Sequence, residues 1–325
     1  MTEWPAITCL CPTYGRFERL RDAVACFLLQ DYPGLTHLLV LNDAFDPICL
    51  LPGGLTALLW ADIEVRILNS KDRYANLGAK RQALLEAAQT PTVAHWDDDD
   101  LYLPWHLTDA VAALEGRSVA QPGTAGRPSP SMKSIPSISC AKSRCAWWAL
   151  GRRECWELQG GVHHNQFEGQ MLFRRERALE LGGYPPKMSG QAAALLRAFE
   201  RAGELRLYRP ADEDVSYIYR WADGVGHVSA CPGSGAVRQM EWLKRNQDFG
   251  LGRDGKPQPL IPSGNPILWA RARLAKQFRI LLDQLNPRLE PSAWHKTQAR
   301  LTEALEGRAA GRAPSIPSIA PEAPQ

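Results

Sequence analysis

Four consecutive aspartates, Asp97 to Asp100, close the apolar segment Thr92–Trp96. Adjacent carboxylates repel one another, so a chain that keeps four together must gain something from their charge. Carboxylate oxygens are hard ligands suited to Mg²⁺ or Mn²⁺, which complete their shells with water and phosphate oxygens. If the backbone stays extended through the run, Asp97 and Asp99 point the same way and share one face. The competing use is a helix cap: Asp100 stands at the approach to a helix expected from about Pro104, where negative charge stabilises the helix start. A cap accounts for one or two of the four carboxylates. A metal-phosphate site accounts for all of them.

Further candidates sit at comparable places in the chain. Asn42-Asp43 ends a second apolar run, and Asp43 is either a plain turn residue or an acceptor for a base or ribose hydroxyl. Lys80 and Arg81 follow Gly78 in a helical pattern, where they meet a diphosphate or merely form a solvated face. The eight cysteines include no Cys-x-x-Cys pair. A zinc quartet of Cys140, Cys145, Cys155 and His163 matches no usual finger spacing, so reduced structural thiols are expected.

The elements that would position these residues alternate in type. Ile7–Cys11 reads as a strand ending in Pro12-Thr13-Tyr14-Gly15. Phe17, Leu20, Ala23, Val24, Phe27 and Leu28 recur at helical spacing, and Asp31-Tyr32-Pro33-Gly34 stops that helix. Strands are expected over Leu38–Leu41, around Val65–Leu68 and over Thr92–Trp96, with a helix through Leu77, Ala83, Leu84 and Ala87 between the last two. Such alternation predicts an α/β fold with a mostly parallel sheet covered on both faces, and ligands at the carboxyl ends of its strands. Later segments predict short strands over Cys145–Leu150 and Cys155–Leu158, a strand over Gln170–Phe173, and a helix ending at Gly182-Gly183. A helix over Ala192–Ala202, a strand over Val215–Trp221 and a helical region from about Ala236 complete the pattern.

Composition bounds the function classes. The chain has 325 residues, 45% hydrophobic and 22% charged, which suits a folded protein with a substantial core. No apolar stretch approaches the roughly 20 residues of a membrane span. No secretory leader is expected, because Met1–Ala6 lacks a basic region, so the predicted location is cytoplasmic or peripheral at the inner face of the membrane. A net charge of +3 does not call for nucleic acid, and the basic residues among the tryptophans of 140–153 are few and unpatterned. Residues 121–139 read as a flexible insertion and 307–325 as a disordered tail, being rich in Pro, Ser, Gly and Ala.

Taken together, Ile7-Thr8-Cys9-Leu10-Cys11-Pro12-Thr13-Tyr14 with Arg16, and Gln30-Asp31-Tyr32-Pro33, resemble the opening of family 2 glycosyltransferases. Gly78-Ala79-Lys80-Arg81 and Trp96–Asp100 through Pro104 are similar to that family's nucleotide-sugar half and its Asp-x-Asp motif. Met171–Arg175 through Gly182-Gly183-Tyr184 resembles its acceptor half. The resemblance covers about residues 5–230 and implies the GT-A fold over 1–235, followed by a helical C-terminal extension over 236–306. It implies an inverting, metal-dependent transferase moving a sugar from a nucleotide diphosphate sugar to a glycan, lipid or protein acceptor, with Mn²⁺ or Mg²⁺. By the same resemblance Pro12, Tyr14, Arg16, Asp43, Lys80, Arg81, Asp97 and Asp98 would bind the nucleotide sugar. Asp97, Asp99 and His227 would serve the metal.

One position departs from the pattern. The family's general-base aspartate would fall at Ala192, preceded by Gln191 in place of a glutamate, and neither accepts a proton from an acceptor hydroxyl. Glu168, Asp212 and Asp214 are the alternative bases. A catalytically impaired or purely nucleotide-sugar-binding protein is the other expectation.

Overall fold

The computed structural model describes residues 4–115, 140–142, 145–149, 154–157, 168–207, 216–221, 251, 254–283 and 291–306. The first apolar run extends to β1 (Ile7–Thr13), buried along its whole length. Helix α1 (Phe17–Leu28) returns the chain to β2 (Thr36–Asn42). Next come β3 (Ala57–Trp60), β4 (Ile63–Asn69), α2 (Leu77–Ala87) and β5 (Thr92–His95). Beyond the aspartates lie β6 (Leu101–Tyr102) and α3 (His106–Glu115), then β7 (Cys140–Lys142), β8 (Cys145–Ala149) and β9 (Glu154–Glu157). The remaining elements are β10 (Met171–Arg174), α4 (Arg175–Glu180), α5 (Gln191–Arg201), β11 (Leu205–Leu207), β12 (Tyr217–Trp221), α6 (Pro266–Asp283) and α7 (Pro291–Leu305).

Eight strands form one sheet in the order β11-β7-β10-β5-β1-β2-β4-β3. Its centre, β5-β1-β2-β4, is parallel throughout, while β10 and β3 add antiparallel neighbours. A smaller sheet has the order β6-β12-β8-β9. Buried central strands sort their side chains by alternation. Cys9, Cys11, Leu38 and Val40 pack on one face with α1, α3 and α6; Leu10, Leu39 and Leu41 pack on the other with α2 and α5. The fold is mixed α/β with a mostly parallel central sheet between helices, as the alternation predicts.

Strand β3 has no counterpart in the sequence reading. Ala57-Leu58-Leu59-Trp60 alternates in exposure at the sheet edge, and four residues are too short a run to show a period. Strand β5 ends one residue earlier than expected. The turn after α4 places Gly182 and Gly183 at φ +96° and +60°, the left-handed conformation a helix stop requires. Cys9, Cys11, Cys26 and Cys49 are buried free thiols. The predicted insertion 121–139 and tail 307–325 lie outside the described residues, as do His163 and Cys231.

Candidate functional site

Within the parallel centre the chain order runs outward from β1 to β2 and β4, then returns to β5 on the other side of β1. The strand order therefore reverses between β1 and β5, and a doubly wound sheet opens its ligand crevice there, beyond the carboxyl ends. Pro12 and Thr13 end β1, Tyr14 and Arg16 follow it, Asp43 follows β2, and Asp97–Asp100 follow β5. Residues separated in sequence by more than eighty positions meet on this rim.

The aspartates lie past the end of β5, in a turn, so strand alternation does not govern them. Asp97 and Asp99 accordingly go to different partners instead of sharing a strand face. Arg81 Nη2 donates to Asp97 Oδ1 at 2.5 Å. Arg16 bridges the next two carboxylates, donating to both oxygens of Asp98 and, through Nη1, to Asp99 Oδ2. The Thr13 hydroxyl donates to Asp98 Oδ2 at 2.6 Å. Asp100 accepts from the Tyr217 hydroxyl and, at 2.9 Å, from the Arg220 backbone N–H. It does not cap the following helix: α3 begins only at His106, and the Asp100 carboxylate is directed into β12.

Charge and burial oppose each other throughout the turn. Burial raises the Asp98 carboxyl above the ordinary range despite Arg16, and burial with the charge of Asp99 raises Asp100 well above it. Burial also works against the Arg16 charge, but Asp98 and Asp99 outweigh it and hold its pKa above the usual value. Beneath the turn the Trp96 ring stacks on Tyr102 at 3.8 Å, and Trp96 Nε1 donates to the Ala23 carbonyl. These contacts make a rigid base for the acidic turn.

Lys80 and Arg81 occupy neither a solvated face nor an open phosphate position. Lys80 Nζ is buried and donates to Asp43 Oδ1 and to the Thr13 carbonyl, and Arg81 is committed to Asp97. Burial lowers the Lys80 pKa, partly offset by Asp43. Asp43 Oδ2 accepts the Tyr74 N–H at 3.0 Å, which draws the segment after β4 over the rim. The Arg73 guanidinium carbon stands 4.7 Å from the centre of the Tyr14 ring. Arg73 and Tyr74 are site residues that the sequence reading missed, because no apolar period or motif marks residues 70–76. Asp22 and Arg220 were also missed. Asp22 leaves no trace, because at helical spacing it lies opposite the apolar stripe of α1, where a charge reads as a solvated face.

Ala192 lies at the start of α5, where the helical pattern of 192–202 predicts it, but its side chain is 0% exposed. It belongs to the cluster containing Tyr184, Leu195 and Leu196, so this position faces the core rather than open acceptor space. The preceding Gln191 is also buried, and its Oε1 has no hydrogen-bond partner among the described residues. Tyr184 shares a hydrogen bond with His95 at the end of β5, joining the Gly182-Gly183 turn to the site strand. Glu168 lies in the single turn Glu168–Gln170 before β10. Asp212, Asp214 and His227 fall outside the described residues.

Among the described residues no group of three His, Cys, Asp or Glu side chains gathers around one point. Asp97, held by Arg81, and Asp99, held by Arg16, are the carboxylates of the turn whose hard oxygens would suit a divalent ion. An ion that takes most of its shell from water and phosphate needs few protein ligands.

The chain matches the crystal structure of S. aureus TarS 1–349 in complex with UDP-GlcNAc with a TM-score of 0.51 and 13% identity, covering 94% of this chain and 82% of that one. The UDP complex of TarS 1–349 matches at 0.47 and 12%, over 66% of this chain and 60% of that one. Mannosyltransferase PcManGT from Pyrobaculum calidifontis in complex with GDP-Man and Mn²⁺ matches at 0.43 and 17%, over 94% and 87%. The UDP-GlcNAc complex carries the comparison, and it shows that the chain shares its fold with TarS 1–349. No protein-family model matches the chain, and no curated protein matches it. No described helix is long and apolar enough to cross a membrane.

Proposed function

We propose that this protein is a family 2-type glycosyltransferase, transferring a sugar with inversion from a nucleotide diphosphate sugar to a glycan, lipid or protein acceptor. The observation that carries the reading is the convergence of Asp43 and Asp97–Asp100, with their cations, at the β1–β5 switch point. Asp43, held by Lys80 and the Tyr74 N–H, is oriented to accept hydrogen bonds from a nucleoside. Tyr14, with Arg73 beside it, offers an aromatic face to a base. Arg16 places positive charge beside the acidic turn, where a departing diphosphate develops negative charge. Asp97 and Asp99 would hold Mn²⁺ or Mg²⁺, which when bound neutralises diphosphate charge.

The experiment is donor-induced thermal stabilisation with uridine or guanosine diphosphate sugars in Mn²⁺. A ligand at one hundred times its Kd stabilises a fold by about 2.7 kcal/mol, which moves the melting temperature of a chain this size by a few degrees. Asp99→Asn keeps a hydrogen-bond acceptor for Arg16 but removes the charge, and is expected to abolish the metal-dependent part of the shift. An unchanged metal-dependent shift contradicts the site assignment. Buried Ala192 favours a second reading, a nucleotide-sugar-binding protein with little or no turnover. Release of free sugar or glycoside from a radiolabelled donor separates the two readings.

A further inference from the structure

The side of the acidic turn away from Arg16 and Arg81 is held by a chain of buried charges. Arg220, on β12, donates through Nε to the Asp99 carbonyl and through its backbone N–H to Asp100 Oδ1. Arg220 thus holds the peptide between Asp99 and Asp100 from both sides, with Arg19 Nη1 reaching the same carbonyl at 3.5 Å, while the first carboxylate goes to Arg16 and the second to Tyr217. Arg220 is itself held by Asp22 of α1, with Nη1 donating to Oδ2 at 2.8 Å. The other Asp22 oxygen accepts from Arg273 Nε of α6 at 2.6 Å, and Arg273 Nη2 also donates to the Glu18 carbonyl and carboxylate.

Asp22 is only 3% exposed and Arg220 only 5%. Joining α1 to α6 does not require these charges, because Leu20, Val24, Leu274 and Phe278 already share that core cluster. Replacing a buried ion pair with apolar side chains is commonly neutral or stabilising, so burial of charge is a weak means of gluing helices. What an apolar pair cannot do is hold a carbonyl in one orientation. We infer that Asp22 is a positioning residue for the acidic turn, acting through Arg220 on the Asp99–Asp100 peptide, and that Arg273 extends this constraint to α6. The inference rests on the donor-binding reading for its functional consequence, though not for its structural content.

The test uses the full chain. Arg273→Met removes the outer link, Arg273→Lys retains its charge, and Asp22→Asn retains one oxygen at the hub. Phe278→Leu, on the same helix, serves as a packing control. Hydrogen exchange without ligand is read at the amides of 97–103 and 217–221, with β2 and β4 as reference. Exchange in those two segments is expected to rise about tenfold in Arg273→Met and Asp22→Asn, to recover most of the way in Arg273→Lys, and to stay unchanged in Phe278→Leu. Affinity for the donor with Mn²⁺ is expected to fall in the same order. Unchanged exchange at the turn in Arg273→Met, or an equal rise in β2 and β4, overturns the inference even if Asp22→Asn fails to fold. If the wild-type chain binds no nucleotide sugar, the donor-binding reading fails while the exchange measurement still decides the positioning role.

Discussion

At the scale of single residues, the site has a preformed ionic rim, and the position where the resemblance would put a general base holds a buried alanine, Ala192. General-base assistance contributes about 10²–10⁴-fold where it operates. It cannot operate from a side chain that faces the core, so Ala192→Asp is expected to leave donor turnover and donor affinity little changed. Its burial sets a cost that an exposed site would not carry, because a carboxylate placed there loses hydration. The start of α5 partly offsets the loss, since unsatisfied N–H groups favour negative charge. The variant should melt a few degrees lower and turn over donor at the wild-type rate. Turnover at saturating metal, measured beside wild type, checks this, and a clear gain in turnover would contradict the inward-facing placement of residue 192. The Trp96-to-Asp100 run and Asp43 were legible from type and place alone as the charges that follow β5 and β2. Their partners were not, because Arg16, Lys80 and Arg81 reach them only across the fold.

Elements set the distances between these residues, and α2 has the least latitude. A Cβ on Gly78 would lie 2.0 Å from the Pro185 carbonyl oxygen and 2.8 Å from the Lys187 nitrogen. The Gly78 N–H also donates to the Lys187 carbonyl at 3.0 Å. These are backbone atoms, which cannot swing aside as a side chain would. Gly78→Ala must therefore push α2 from the 185–187 loop, carrying Lys80 from Asp43 and Arg81 from Asp97. Overpacking of this kind costs about 1–3 kcal/mol. The expected result is a lower denaturation midpoint together with weaker donor binding, measured by urea unfolding and thermal shift. A wild-type midpoint in the variant would show that the loop yields. Sequence spacing revealed the helix and its glycine, whereas the loop that crowds the glycine lies more than a hundred residues away.

Stability of the whole molecule depends on pH through buried groups around the acidic turn. Burial lowers the His106 pKa from 6.5 to about 3, and its ring packs edge-on against Tyr102 with Nδ1 3.2 Å from Ser216 Oγ. As pH falls below about 6.5 the unfolded chain takes up a proton that the fold refuses until about pH 3. Between those limits His106 lowers stability with falling pH by up to about 1.4 kcal/mol per unit. Asp98 and Asp100 act in the opposite sense, since their raised pKa values favour the fold at low pH and that contribution is lost as pH rises through them. His106→Asn isolates the histidine. Urea midpoints at pH 7.5 and 5 should differ less in the variant than in wild type, and equal differences would contradict the assignment.

By itself the sequence determined the order and type of most elements. Hydrophobic periodicity and turn chemistry are local, and β1, α1, β2, β4, α2 and β5 each carry them within about a dozen residues. It also determined that carboxylates stand at the ends of buried strands, because an apolar run that stops at charge has few other places to stop. Tertiary structure alone decided which charge meets which. The switch point between β1 and β5 brought Arg16 to Asp98 and Asp99, and the packing of α6 on α1 brought Arg273 to Asp22. It decided as well that Ala192 faces inward and that β3 closes the sheet edge. Pairing across eighty to two hundred and fifty residues follows from chain topology and packing, neither of which leaves a short-range period to read.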